Sequence, residues 1–88
     1  MEVVYKDQAI IDIKFWKKSG QKTIQARIVR LVEDIKLNPY SGLGKPEALK
    51  HELSGFWSRE IDKGNRLIYK ISGNQLHIIS LRGHYLDK

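Results

Sequence analysis

The stretch from residue 44 to residue 66 concentrates the residue types that cleavage of a phosphodiester requires. Transesterification of RNA needs a base to take the 2′-hydroxyl proton, an acid to protonate the leaving 5′-oxygen, and cations around the phosphate. Glu47, His84 and Arg66 have the side chains for these three roles. Three further basic residues surround Glu47 in the sequence: Lys45, Lys50 and Arg59. The first hypothesis is therefore RNA cleavage.

Each of these residues also has a plainer interpretation. Glu47 taken alone is typical of a loop carboxylate in a surface ion pair. His84 is typical of a solvent-exposed histidine near a chain end, and Arg59 and Arg66 of charged residues that protect a strand edge. A non-catalytic RNA- or ribosome-binding module, whose basic face contacts phosphates, therefore remains an alternative.

The sequence favours a reaction without metal or cofactor. His51, His77 and His84 lack the spacing of metal ligands, and a positively charged cleft repels divalent cations. The chain has no cysteine, which excludes a disulfide framework and a thiolate zinc site. It also contains no glycine-rich phosphate loop, serine nucleophile motif or dinucleotide fingerprint.

Length and composition predict one small, basic domain spanning residues 1–88. Hydrophobic residues make up 41% of the chain and charged residues 30%, which is enough to form one core with a charged surface. The net charge of +6 favours nucleic acid or an acidic protein as the partner. The N-terminus does not resemble a signal peptide and no apolar run is long enough to cross a membrane, so a cytoplasmic protein is expected.

The hydrophobic pattern predicts the order β-α-α-β-β-β. After a strand over residues 2–6, apolar residues at spacings of three and four, such as Ile10, Ile13 and Trp16, indicate a first helix that stops at Gly20. A second helix ends before Asn38-Pro39, and a loop with a helical turn near Glu47 to His51 follows. The runs FWSREI, RLIYKI and QLHIISLRG predict a three-stranded meander. The expected fold is α+β, with two antiparallel helices on one face of a largely antiparallel four-stranded sheet.

Strand alternation predicts which side chains face away from the helices. Residues Leu67, Tyr69 and Ile71 form the apolar set and are assigned to the helix side, which places Arg66 on the opposite face. The loop that carries Glu47 can fold over that face, and Arg59 and His84 can join from neighbouring strands. Phe56 and Trp57 are predicted on opposite faces of the sheet.

The run GKPEALKHELSGFWSREIDKGNRLIY, followed by the terminal RGHY, resembles the YoeB (Txe) branch of the RelE/ParE toxin superfamily. The resemblance implies the RelE-like fold and a ribosome-dependent messenger-RNA endonuclease acting at the A-site codon, which is the toxin of a bacterial type II toxin–antitoxin pair. It implies Glu47 as general base, His84 as general acid and Arg66 as stabiliser of the transition state. It also assigns RNA-binding roles to four residues: Lys45, Lys50, Arg59 and Tyr85.

The same resemblance implies an acidic, partly disordered antitoxin of the YefM/Phd type, which agrees with the basic charge of this chain. A homodimer is compatible with the sequence. A ParE-like toxin that acts on DNA gyrase is the alternative within the superfamily, but such toxins generally lack the set of Glu47, Arg66 and His84. Gly83 before the His-Tyr pair and the three residues after it depart from the family pattern.

Overall fold

The structure is a computed structural model that describes residues 1–83. These residues form two α-helices and five β-strands, with a short 3-10 helix at His51–Leu53. In chain order the elements are β1 (Glu2–Tyr5), α1 (Asp7–Ser19), α2 (Lys22–Leu37), β2 (Glu47–Ala48), β3 (Trp57–Asp62), β4 (Asn65–Ser72) and β5 (Gln75–Ser80).

The five strands form one sheet in the order β1-β5-β4-β3-β2. The β2–β3, β3–β4 and β4–β5 pairs are antiparallel, whereas β1 runs parallel to β5 at one edge. The predicted α+β class, with two helices and a largely antiparallel sheet, is confirmed. The sheet has a fifth strand because Glu47 and Ala48 pair with β3, so the helical turn predicted at residues 47–51 begins only at His51.

The helices cover one face of the sheet and enclose the core with it. In α2, Ile24, Ile28, Leu31, Val32 and Ile35 recur at the spacing of one helix face, and all five are buried. The predicted helix-side residues of β4 also belong to this core: Leu67 and Tyr69 are buried in it, and Ile71 packs against it.

Helix α1 differs in detail from its predicted apolar stripe. The buried positions are Ala9, Asp12 and Trp16, whereas Ile10 is 42% exposed. A carboxylate lies in this buried stripe because Asp12 accepts a hydrogen bond of 2.8 Å from the backbone amide of Leu81. The helix ends as predicted at Gly20, whose φ of 72° is the left-handed conformation that glycine adopts at a helix C-terminus. Within residues 1–83, no helix is long and apolar enough to cross a membrane.

An ion pair between the buried Arg59 and the partly exposed Asp34 joins the end of α2 to the sheet. The Asp34 carboxylate accepts a hydrogen bond of 2.6 Å from Arg59 and another of 2.9 Å from the backbone amide of Leu43. The Leu43 amide and, next, the Arg59 guanidinium hold the pKa of Asp34 below its ordinary value. The ionised carboxylate is therefore the form that stabilises this part of the fold.

This ion pair predicts a pH-dependent difference in unfolding free energy between the wild-type protein and an Asp34→Asn variant. At neutral pH the variant should lose roughly 1–3 kcal/mol of unfolding free energy, because Arg59 loses its charged partner. Because the pKa of Asp34 is lower in the folded than in the unfolded protein, the stabilisation from its ion pair is fully present above about pH 4. It disappears as the pH falls through the folded-state pKa of Asp34. Urea unfolding from neutral to acidic pH should therefore show the two stabilities converging. A constant difference throughout would contradict this account.

Candidate active site

The face of the sheet opposite the helices, called the open face here, carries the candidate catalytic residues. Arg66 and Lys70 alternate along β4 with the core residues Leu67 and Tyr69, as strand parity predicts. Across the ladder, Glu60 lies opposite Arg66 and Ser58 lies opposite Ile68. Glu47 lies opposite Ser58 in the β2–β3 pair. Pairing therefore brings residues from β2, β3 and β4 onto one face.

Arg66 lies at the centre of this group. Its guanidinium is 3.8 Å from the Glu47 carboxylate, and its Nε donates a hydrogen bond of 2.9 Å to the Ser58 hydroxyl. The Arg66 side chain is 14% exposed and that of Glu47 is 55% exposed. The arginine is thus held in place by the sheet, while the carboxylate remains accessible to a ligand.

After β5 the chain returns to the backbone of Arg66 at Gly83. The backbone amide of Arg66 donates a hydrogen bond of 2.9 Å to the Gly83 carbonyl, and the Gly83 amide donates one of 2.7 Å to the Asn65 side chain. Upstream, the Trp16 indole donates to the Leu81 carbonyl at 2.8 Å. The predicted site residues His84 and Tyr85 lie outside the described residues 1–83.

The other predicted RNA-binding residues fall into two groups. Lys45 and Lys50 are exposed on either side of Glu47 in the sequence. Arg59, by contrast, has no exposed surface, so its predicted contact with RNA is wrong. Its ladder partner is Leu67, a core residue, and this register points the arginine toward the helices. The buried guanidinium is instead bound by Asp34, Tyr69 and backbone carbonyls of the 38–43 loop.

The aromatic residues divide between the two faces, as strand parity predicts. Trp57 packs against the core, and its ring centroid lies 5.0 Å from that of Tyr40. Phe56 lies under the Lys70 ammonium, which is 5.4 Å from its ring centroid. An aromatic ring and a second cation thus extend the open face beyond Arg66, the combination on which a nucleic-acid base and phosphate can be bound.

Two polar residues of the open face were missed by the sequence interpretation. Ser58 is buried and holds Arg66, and Glu60 is the direct cross-strand neighbour of Arg66. Both have the parity of Glu47 and Arg66 once the β3–β4 register is known. Alternation within β3 could have identified them only with Arg59 assigned to the helix side, because Ser58 and Glu60 flank Arg59.

The geometry suits acid–base chemistry on an anionic substrate. A carboxylate and a guanidinium lie side by side, so one can accept a proton while the other neutralises developing negative charge. Among residues 1–83, no group of three or more histidine, aspartate or glutamate side chains is close enough to hold a metal ion.

Comparison with known proteins places this chain among bacterial toxins. The profile described as "YoeB-like toxin of bacterial type II toxin-antitoxin system" matches residues 5–85. The toxin YoeB of Streptomyces coelicolor is 44% identical over 85 residues, which cover 97% of this chain and 100% of that protein.

Solved structures agree with the sequence comparison. A YoeB/ParE toxin from Agrobacterium tumefaciens superposes with a TM-score of 0.92 at 36% identity, covering 97% of this chain and 100% of that one. The YoeB of Staphylococcus aureus is 34% identical over 97% of this chain and 98% of its own. It has been solved in a YoeB–YefM complex, with a TM-score of 0.86, and as a dimer, with a TM-score of 0.88.

Proposed function

Because the chain belongs to the family of YoeB-like toxins of bacterial type II toxin–antitoxin systems, we propose that it is a ribosome-dependent endoribonuclease that cleaves messenger RNA at the A-site codon. The observation that supports this activity most directly is the position of the Glu47 carboxylate, 3.8 Å from the Arg66 guanidinium on the open face. A base beside a cation is the minimum that phosphodiester transesterification requires.

In the proposed reaction, Glu47 takes the proton from a ribose 2′-hydroxyl. The resulting oxygen attacks the adjacent phosphorus, and the bond to the 5′-oxygen of the next nucleotide breaks. The products are a 2′,3′-cyclic phosphate and a free 5′-hydroxyl. The exposure of Glu47 supports this role, since its carboxylate can meet a nucleotide without movement of the sheet.

Arg66 would bind the phosphate oxygens as negative charge develops on them. The Ser58 hydroxyl fixes its Nε, which leaves the terminal nitrogens of the guanidinium directed toward Glu47 and the substrate. Positioning the cation in advance lowers the reorganisation needed in the transition state. Lys45 and Lys50, both exposed, would contact flanking phosphates.

His84 would protonate the leaving 5′-oxygen, and Tyr85 would contact the RNA beside it. The hydrogen bond from the Arg66 amide to Gly83 supports this assignment, because His84 is the next residue in the chain. The chain therefore leaves the described part of the molecule at Gly83, which is hydrogen-bonded to the backbone of the residue that carries the proposed cation.

The proposed partners are the ribosome with its messenger RNA, and an acidic antitoxin. The net charge of +6 favours both, since each is an anionic surface. The S. aureus relative has been solved with YefM and as a dimer, which supports a YefM-type antitoxin and a homodimer for this chain as well.

The activity is tested by mapping the 5′ ends of a translated messenger RNA in a cell-free system by primer extension, with the wild-type protein and with His84→Gln. We expect cuts within A-site codons that require ribosomes. In His84→Gln the rate of cleavage should fall by about 10²-fold or more, the usual contribution of a general acid. Translation arrest without cuts would instead identify a non-catalytic ribosome-binding protein. Inhibition of DNA gyrase, with translation unaffected, would identify a ParE-like toxin.

A further inference from the structure

We propose that Arg59, Asp34 and Tyr69, called the Arg59 cluster here, are positioning residues that hold Glu47 beside Arg66. The inference rests on the proposed role of Glu47 as general base. None of the three side chains lies on the open face, so they act through the backbone of the 38–47 segment. The argument follows the hydrogen bonds from the buried guanidinium to that segment.

The Arg59 guanidinium binds the loop that follows α2, together with one side chain from α2 and one from β4. Its NH1 donates to the Leu43 carbonyl at 3.0 Å as well as to Asp34, and its NH2 donates to the carbonyls of Asn38 and Ser41. Its Nε donates to the Tyr69 hydroxyl at 3.2 Å. Three carbonyls separated by a few residues are therefore directed at one rigid, planar group, which defines the path of the loop.

The other two members of the cluster bind the same loop. The Asp34 carboxylate accepts the Leu43 amide at 2.9 Å, and the Tyr69 hydroxyl donates to the Pro39 carbonyl at 2.7 Å. Gly42 lies so close to Asp34 that a Cβ atom there would be 2.4 Å from the carboxylate oxygen. The loop is thus fixed against both α2 and the sheet.

From this loop the chain passes directly to the candidate base. The Gly44 carbonyl accepts a hydrogen bond of 2.7 Å from the Glu60 amide, and a Cβ atom at Gly44 would lie 3.1 Å from the Cβ of Arg59. Gly44 and Lys45 have φ values of 81° and 53°, so the backbone is in the left-handed region at two successive residues just before Glu47. Glu47 is therefore three residues from a point that is packed against Arg59.

The edge strand that carries Glu47 has little support of its own. Strand β2 has two residues, both exposed, and its ladder consists of Glu47 opposite Ser58 and Ala48 opposite Trp57. On its C-terminal side, the Leu49 amide binds the Phe56 carbonyl at 2.9 Å. The N-terminal side is held by Gly44 and the Arg59 cluster, so loosening the cluster frees one end of the strand.

Stability alone does not account for a charged group at this position. Arg59 is 0% exposed, and apolar side chains of similar volume often replace a buried ion pair without loss of stability. An apolar replacement cannot bind the carbonyls of the 38–43 loop, however, and so cannot define its path. The directional hydrogen bonds are the property that only the polar cluster supplies.

Tyr69→Phe is the most informative variant because it removes one hydroxyl and keeps the ring. The substitution deletes the bond to the Pro39 carbonyl and the acceptor for Arg59 Nε. On programmed ribosomes we expect kcat to fall roughly 10–100-fold, the effect of a small displacement of a reacting group. KM should stay within about twofold, since Tyr69 makes no contact on the open face. In a Glu47→Gln background, Tyr69→Phe should cause no further loss, because its effect passes through Glu47.

A matched control separates positioning from general destabilisation. Ile24→Val removes one methylene from the core at the beginning of α2, distant in the helix from Asp34, and should leave kcat unchanged. Amide hydrogen exchange gives a readout that does not depend on activity. The Glu60 amide, which binds Gly44, should exchange about an order of magnitude faster in Tyr69→Phe and not in Ile24→Val.

Equal kcat losses in Tyr69→Phe and Ile24→Val, a rise in KM alone, or additive losses with Glu47→Gln would each overturn the proposal. If the wild-type protein does not cleave RNA at all, the proposed function fails. The exchange rates at Glu60 and Leu49 would then still decide whether the Arg59 cluster holds the segment that carries Glu47.

Discussion

Replacement of Glu47 by glutamine is expected to lower kcat for ribosome-bound messenger RNA by about 10²–10⁴-fold, the usual contribution of a general base. Glutamine keeps the size of the side chain but cannot accept the 2′-hydroxyl proton. The fold should be unaffected, because the Glu47 side chain is 55% exposed and its strand has only two residues. Single-turnover cleavage of a defined messenger RNA, with unfolding followed in parallel, measures both quantities.

Two other glutamates make this test specific. Glu52 is exposed in the 3-10 helix, so Glu52→Gln matches the loss of charge and should cleave like the wild-type protein. Glu60 is the cross-strand neighbour of Arg66 and is the competing candidate for the base. A larger loss in Glu60→Gln than in Glu47→Gln would transfer the role of general base to Glu60.

Replacement of Arg66 by glutamine should lower kcat by about 10²–10³-fold, the typical cost of removing one group that stabilises transition-state charge. A lysine at this position should not restore the rate, because an ammonium cannot bind Ser58 and the phosphate in the fixed geometry of a guanidinium. Product formation under single-turnover conditions, compared with ribosome binding in a sedimentation assay, distinguishes a chemical defect from lost affinity.

The matched control for Arg66 is Arg30→Gln. Arg30 is exposed on α2, on the side of the molecule opposite the open face. Because each variant replaces one arginine by glutamine, Arg30→Gln and Arg66→Gln have the same net charge. Both variants should lose a similar share of non-specific attraction to the ribosome, but only Arg66→Gln should lose cleavage. More than a tenth of the wild-type rate in Arg66→Gln would exclude the transition-state role.

Local pattern was sufficient to predict the elements and the direction of most side chains. Helical spacing located the buried stripe of α2, and alternation in β4 placed Arg66 opposite Leu67 and Tyr69. These predictions hold because each depends on residues only a few positions apart, for which helix and strand periods are fixed by geometry.

Arg59 was assigned wrongly because its partners are distant in the sequence. An arginine is usually exposed, because burying its guanidinium costs free energy unless each N–H donor has a hydrogen-bond acceptor. Here Asp34, the 38–43 loop and Tyr69 satisfy the donors, and they are 10–25 residues away from Arg59. Only the β3–β4 register, which pairs Arg59 with Leu67, shows that its side chain enters the core.

The short strand β2 could not be predicted for a related reason. Two residues give no measurable alternation, and Glu47 and Ala48 have low strand propensity. Their extended conformation comes from pairing with Ser58 and Trp57, a contact imposed by the rest of the fold. The sequence thus identifies the candidate site residues, but their proximity in space depends on pairing between distant strands.

The parallel pairing of β1 with β5 has a consequence for the synthesis of the protein. Val3 has its ladder partner at Leu76, and Asp12 and Trp16 of α1 bind the backbone of Leu81. A nascent chain that ends before residue 75 therefore has no sheet partner for its first strand and no Gly83 carbonyl for the Arg66 amide. Such pairings between distant parts of the chain delay folding until β5 has been translated. A toxin that acts on ribosomes, as proposed for this chain, would therefore acquire its candidate active site only after its own ribosome has translated residue 83.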